Sequence, residues 1–271
     1  MTGDGTKPCP QSAVLNSLNL FSPQQIGQFD RDGFLIVRGL ASRDRCDRLL
    51  AVARRHLIAG IQPLEFEAQL RYPGAPPSVE APGGRTVRRL LQAAARDPEF
   101  MNWATSPEVA NRLRQLLGPE LCLSQAHHNC VMTKHPAFSS ATGWHQDIRY
   151  WSFERPELVS VWLALGRENA DNGCLWLVPG SHCQDFPPEQ YDTDRFFRDD
   201  LDVNREILSK AVKAELDEGD VLFFHCRLLH RAGRNTTDQT KLAVVFTYHA
   251  TENHPQAGTR SASSPEVTVL C

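Results

Sequence analysis

Apolar positions recur at three- and four-residue intervals in the first 118 residues and at every second residue over most of the remaining chain. The first pattern predicts amphipathic helices and the second half-buried strands. Ser22-Pro23-Gln24-Gln25 places Ser at an N-cap, Pro at the first helical position and Gln where it closes a capping box, so a helix starts there and Gly33 stops it. Phe34-Leu35-Ile36-Val37 reads as a short strand, and Ser42 caps a second helix whose Cys46, Leu49, Leu50, Ala53 and Leu57 keep helical spacing until Gly60. From Ile61 to Gly84 five prolines and three glycines mark a lid or binding loop. Thr86 to Ala95 then shows a helical stripe of Val87, Leu90, Leu91 and Ala94, with Arg85, Arg88, Arg89 and Arg96 on the remaining faces. Ser106-Pro107 opens another helix, carrying Val109, Leu113, Leu116 and Leu117 and closed by Gly118.

Beyond Gly118 the predicted strands are Leu121–Thr133, Gly143–Ile148, Leu158–Leu165, Cys174–Val178, Ala211–Leu216, Val221–His225 and Lys241–His249, separated by turns such as Asp171-Asn172-Gly173 and Glu218-Gly219-Asp220. Strands at this spacing without intervening helices predict a mainly β chain with N-terminal α-helices, a sandwich or jelly roll rather than a parallel α/β sheet. The expected organisation is a flexible leader over 1–20 and a single domain over 21–271. Within that domain, 21–118 is helical support, 119–250 the jelly-roll core and 251–271 a C-terminal tail.

The net charge of −3 over 271 residues gives no global nucleic-acid footprint. Eight cysteines without a C-x-x-C pair, and no apolar signal core in Met1 to Pro10, predict reduced thiols and a cytoplasmic location. No apolar run approaches the roughly 18 residues of a membrane span, so any contact with the inner membrane is peripheral. Only five of the 29 basic residues are lysines (Lys7, Lys134, Lys210, Lys213 and Lys241), which singles out any lysine inside a strand.

Candidate chemistry centres on Gly143-Trp144-His145-Gln146-Asp147-Ile148. In a strand, positions i and i+2 share a face, so His145 and Asp147 reach one metal ion while Trp144 and Ile148 pack the other side. Among His182, His225, His230, His249 and His254, the third ligand is placed at His230, in a small-residue turn after the apolar strand Val221-Leu222-Phe223-Phe224. His225 reads as a packing histidine and His182 as ordering its own turn. Two imidazoles and a carboxylate make a facial triad that suits Fe(II) and leaves three positions open, although zinc accepts the same ligands. Two positions suit the 1-carboxylate and 2-keto oxygens of 2-oxoglutarate and the last suits O2. The last strand supports this reading. Its even positions Leu242, Val244, Phe246 and Tyr248 are apolar, and its odd face offers Lys241 and small residues, a place for the distal carboxylate.

From Gln24 to Ala250 the chain resembles the phytanoyl-CoA dioxygenase family of Fe(II)/2-oxoglutarate oxygenases. The resemblance rests on Gln28-Phe29-Asp30-Arg31-Asp32-Gly33-Phe34, His145-Gln146-Asp147, Asn172-Gly173-Cys174-Leu175-Trp176-Leu177-Val178-Pro179-Gly180-Ser181-His182, Gly219-Asp220-Val221 and His230-Arg231-Ala232-Gly233-Arg234-Asn235. It implies a double-stranded β-helix (a cupin-like jelly roll), iron on His145, Asp147 and His230, and a basic anchor for 2-oxoglutarate eleven positions after His230. Lys241 stands there where the family usually has arginine, with Arg234 as fallback. Gln146, Trp162 and Lys134 match positions that resemble cofactor-pocket residues, and retention of Asp147 implies hydroxylation, with succinate and CO2 released and ascorbate as reductant.

Tyr72, Arg88, Arg89, Arg149, Tyr150 and Trp151 are expected to meet substrate. Their mixture of arginines and aromatics resembles the bacterial Kdo 3-hydroxylase branch, which implies the acidic Kdo sugar of the lipopolysaccharide inner core, a lipid-linked sugar. The same inventory suits an acyl-CoA or a small secondary metabolite. A zinc-dependent hydrolase and a non-catalytic jelly-roll binding module are the competing classes.

Overall fold

The computed structural model describes residues 19–70 and 72–270. The leader expected over 1–20 therefore lies, up to residue 18, outside the described residues. Helix α1 (Pro23–Asp32) has the anticipated capping box between Ser22 and Gln25 and ends on Gly33 in the left-handed region, φ 78°. After β1 (Phe34–Val37) comes α2 (Arg43–Ala59), capped by Ser42 and stopped by Gly60. Then come β2 (Leu64–Phe66), β3 (Val87–Leu91), α3 (Ala93–Arg96), α4 (Pro98–Ala104), α5 (Pro107–Leu117) and the long β4 (Leu121–Lys134). Further along the chain lie β5 (Thr142–His145), β6 (Leu158–Ala164), β7 (Leu175–Leu177), α6 (Asp202–Leu208) and β8 (Val212–Ala214). The last elements are β9 (Val221–His225), β10 (His230–Ala232), β11 (Lys241–Ala250) and β12 (Val267–Val269).

The strands form two antiparallel sheets. The larger runs β1-β9-β6-β11-β4-β3-β2 with β12 added to β4, and the smaller runs β5-β10-β7-β8. This is the expected double-stranded β-helix. Alternation along β11 explains the layering. Leu242, Val244, Phe246 and Tyr248 join Phe29, Leu49, Phe100, Trp103 and Leu113 in a core between the large sheet and the helices. Ala243 and Val245 face the other way and pack with Trp162, Leu175, Leu177 and Phe224 between the two sheets.

Three expectations change. Val87–Leu91 is a strand, not part of a helix, and pairs with β4 through Arg89↔Met132 and Leu91↔Cys130. Its apolar spacing fits a helix, but pairing with β4 and an internal carboxylate for Arg88 outweigh local propensity. The region 21–118 thus contributes three strands as well as helices. The tail is also structured, because β12 pairs with β4 and Arg114 donates to the Val269 carbonyl at 3.1 Å.

Candidate metal centre and its two chambers

His145 is the last residue of β5, and Asp147 opens the short 3-10 turn Asp147–Tyr150. His230 opens β10 and is the direct cross-strand partner of His145, the register slipping before Ala232↔Thr142. The expected free turn at His230 is therefore a paired strand, and backbone pairing brings the two imidazoles together, with ring centroids 4.1 Å apart. His145 and Asp147 converge although the strand ends between them, because the 3-10 turn folds the carboxylate back.

Asp147 Oδ1 lies 3.7 Å from His145 Nε2 and 3.8 Å from His230 Nε2. One ligand atom from each residue falls within 4.8 Å of the others. His145 Nδ1 contacts the Gly143 carbonyl at 2.8 Å and His230 Nδ1 the Leu228 carbonyl at 3.0 Å. A carbonyl only accepts, so each Nδ1 carries the proton and each Nε2 presents a lone pair. Two lone pairs and a carboxylate oxygen thus face one another in a buried site at distances too long for hydrogen bonds, which is what a divalent cation would resolve. Burial pushes the Asp147 carboxyl up to about 6, against the pull of His230 and Arg89, and holds His145 well below the usual imidazole range. The donor set fits iron, and both imidazoles turn Nε2 toward the Asp147 carboxylate.

Two cavities meet at this centre, sharing Arg89, His128, Thr142 and His145 in their walls. The inner one, about 50 Å³, runs between the sheets past Trp162 and His230 to Lys134 and Lys241. Lys241 Nζ pairs with Glu168 Oε2 at 2.6 Å and lies 5.1 Å from the Trp162 ring centroid. Trp162 donates its indole N–H to the other oxygen of Glu168 at 2.9 Å. Lys134 donates to the Ser140 carbonyl at 2.9 Å, and burial, then Arg88, holds its ammonium well below the usual lysine range. The outer cavity, about 190 Å³, is walled by Tyr72, His127, Asp147, Tyr150, Trp151 and Arg260, among others.

The geometry separates the other expected residues. Gln146 turns away from both cavities, donating to the Arg227 carbonyl and accepting from the Tyr191 hydroxyl, so its amide is spent on structure. Arg234 is exposed, donates to the Ser139 carbonyl at 3.1 Å and does not line the inner cavity, which leaves Lys241 as the basic group there eleven positions after His230. Arg149 lies over the Tyr191 ring at 3.4 Å and is absent from the outer wall. Arg88, 2 % exposed, is held by Glu67, Ser140 and Thr142. Arg89 pairs with Glu65 at 3.3 Å and stays in both walls, and Tyr72, Tyr150 and Trp151 line the outer one. His225 accepts from the Arg227 amide, and His182 sits against Gly33 with Nε2 3.2 Å from the Asp30 carbonyl; neither approaches the centre.

Sequence reasoning missed Glu168 and His128. Glu168 lies outside every predicted strand. His128 was hidden because β4 leaves its ladder there: the register with β11 jumps from Asn129↔Phe246 to Ser124↔Thr247, so Gln125–His128 bulge out unpaired with β11. Two adjacent histidines inside a predicted strand were the available signal. A second group of potential ligands, Cys122, His249 and Glu266, is closed on itself by a 2.6 Å contact between His249 Nε2 and Glu266 Oε1.

A family profile described as phytanoyl-CoA dioxygenase matches residues 29–243. Among curated proteins, the chain is similar to the peroxisomal phytanoyl-CoA dioxygenase of Rattus norvegicus, 25 % identical over 255 residues covering 86 % of this chain and 70 % of the relative. It is also similar to the ectoine dioxygenase of Bordetella bronchiseptica, 28 % identical over 253 residues covering 86 % and 76 %. Among solved structures, EctD from S. alaskensis with 2-oxoglutarate and 5-hydroxyectoine superposes with TM-score 0.70 at 22 % identity, over 87 % of this chain and 78 % of that one. The epimerase SnoN in complex with Fe3+, alpha ketoglutarate and nogalamycin RO gives TM-score 0.68 at 22 % identity, over 90 % and 87 %. These structural likenesses show a shared fold.

Proposed function

The chain belongs to the phytanoyl-CoA dioxygenase family and is an Fe(II)- and 2-oxoglutarate-dependent dioxygenase; from that premise we propose that it hydroxylates a C–H bond of a small polar molecule held in the outer chamber. The observation that carries the proposal is one buried His–Asp–His centre shared between an inner cavity ending in Lys241 and an outer one walled by aromatic rings. His145, Asp147 and His230 would hold the iron. Lys241, steadied by Glu168 and Trp162, receives the distal carboxylate of 2-oxoglutarate, and Lys134 adds a second nitrogen donor nearby. When bound, iron and 2-oxoglutarate with O2 supply oxidative decarboxylation to succinate and CO2 and transfer of one oxygen atom to carbon. The protein's own contribution is positioning: Tyr72, Tyr150 and Trp151 exclude water and orient the substrate over the centre.

The size of the outer chamber, about 190 Å³, favours a molecule of one ring or a short chain over the whole of an acyl-CoA. The names of the relatives point to phytanoyl-CoA and ectoine. A Kdo sugar remains within the size limit, with Arg89 and the exposed Arg260 as its basic groups, but Arg88 and Arg149 are committed to Glu67 and Tyr191. The six described cysteines are free thiols, and no described helix is long and apolar enough to cross a membrane. The test is incubation with Fe(II), ascorbate, O2 and 2-oxoglutarate against a panel of small polar metabolites, Kdo-lipid A and acyl-CoA thioesters, read by mass spectrometry. One added oxygen on a small metabolite, matched by an equivalent of succinate, is the expected result. Oxygenation of the thioester alone would overturn the substrate class while leaving the reaction class intact.

A further inference from the structure

Asp147 uses one carboxylate oxygen toward the centre and leaves the other without a partner. Oδ1 faces both imidazole Nε2 atoms, whereas Oδ2 is buried and, among the described residues, accepts no hydrogen bond. A buried carboxylate oxygen with nothing donating to it is costly, and ligating carboxylates are generally held by an outer partner. One donor stands beside it. His128 Nδ1 lies 3.6 Å from Oδ2 and 3.3 Å from Ser160 Oγ, and Ser160 Oγ is 3.0 Å from Thr247 Oγ1. The ring also meets Trp151 edge-on with centroids 5.3 Å apart, which fixes its plane.

The backbone is bent to place this ring. Residues Gln125–His128 forgo pairing with β11 inside the longest described strand, and the pairing resumes at Asn129. Bulges of this kind re-aim side chains next to active sites. Here the bulge delivers His128 to the wall common to both cavities.

We propose that His128 is a positioning residue for the metal centre: its Nδ1–H closes onto Asp147 Oδ2 when the carboxylate ligates, holding Asp147 to one-oxygen ligation and keeping the remaining positions open. The inference rests on reading Asp147 as a metal ligand. It predicts a function for Nδ1 specifically, so the variants are chosen by which ring nitrogen they imitate. His128→Asn carries an amide near the Nδ1 position, His128→Gln places it near Nε2, and His128→Leu has none.

The test is anaerobic titration of metal-free protein with Co(II), followed by tryptophan fluorescence, with circular dichroism to confirm folding. His128→Leu and His128→Gln should bind about 10–100-fold more weakly than wild type, and His128→Asn close to wild type. In the Asp147→Ala background, His128→Leu should add no further loss, since the residue acts through Asp147. Wild-type affinity in His128→Leu, equal losses in the Asn and Gln variants, or additive losses in the double variant would each overturn the proposal. The Asn and Gln comparison decides the matter by itself if the Leu variant does not fold. Unchanged binding in Asp147→Ala alone would overturn the ligand reading, and this proposal with it.

Discussion

At the scale of single residues, Lys241 and Glu168 form a buried ion pair whose members lie 73 positions apart, with side chains 5 % and 0 % exposed. Removing one partner strands the other charge in the interior. Lys241→Met should therefore destabilise the protein by about 3–5 kcal/mol in chemical denaturation. Lys241→Met combined with Glu168→Gln should recover most of that stability while 2-oxoglutarate binding stays impaired, because the cation proposed for the distal carboxylate is still missing. Equal 2-oxoglutarate affinity in the double variant and wild type would remove Lys241 from the cofactor site. Lys241 was legible from strand alternation and the scarcity of lysine. Glu168 was not, since nothing local distinguishes a carboxylate that pairs across the sheet from one in solvent.

At the scale of elements, β11 could be read from its pattern alone because both of its faces are buried against different layers. The ligand strand β10 could not: three residues are too few for a period, and its pairing with β5 is a tertiary event. Gly173 shows how tightly these strands are set. Its φ is 78°, and a Cβ there would meet the Gly233 carbonyl oxygen at 2.6 Å and Lys134 Cδ at 2.7 Å. Gly173→Ala should cost more than about 1 kcal/mol from backbone strain and displace the lysine lining the inner cavity. The checks are a lowered Tm and a raised KM for 2-oxoglutarate; an unchanged KM would show that Lys134 has no part in the inner chamber. The missed β3 and the excursion in β4 share one cause, since in each case a side chain finds its partner only in the folded sheet.

For the whole molecule, helices α1, α2 and α5 and most strands were anticipated and the three candidate ligands converge, whereas α4 and α6 were missed and the joining of two chambers at one centre emerges only from the packed sheets. Buried histidines also set the response of the fold to acid. Burial, and then the charges of His182 and Arg227, lower His225 to about 4. His127 is lowered to about 3 by burial, then Arg260 and His249. Both folded values lie below the unfolded imidazole, so the unfolded chain binds protons first. The stability they contribute is complete above about pH 6.5 and is lost as pH falls toward those values. His225 alone should account for roughly 2 kcal/mol between pH 7 and pH 5. Urea denaturation of metal-free wild type and His225→Asn at those two values checks this. Wild type should lose more than the variant, and parallel losses would contradict the assignment.

On the proposed reading, His145, Asp147 and His230 would hold iron beside a 2-oxoglutarate site ending in Lys241. Anaerobic addition of 2-oxoglutarate to Fe(II)-loaded protein, followed by visible absorption, tests it most directly. A weak charge-transfer band should appear in wild type, vanish in His230→Ala, and require much higher 2-oxoglutarate in Lys241→Met. No band in iron-loaded wild type, or an unchanged band in His230→Ala, would contradict it.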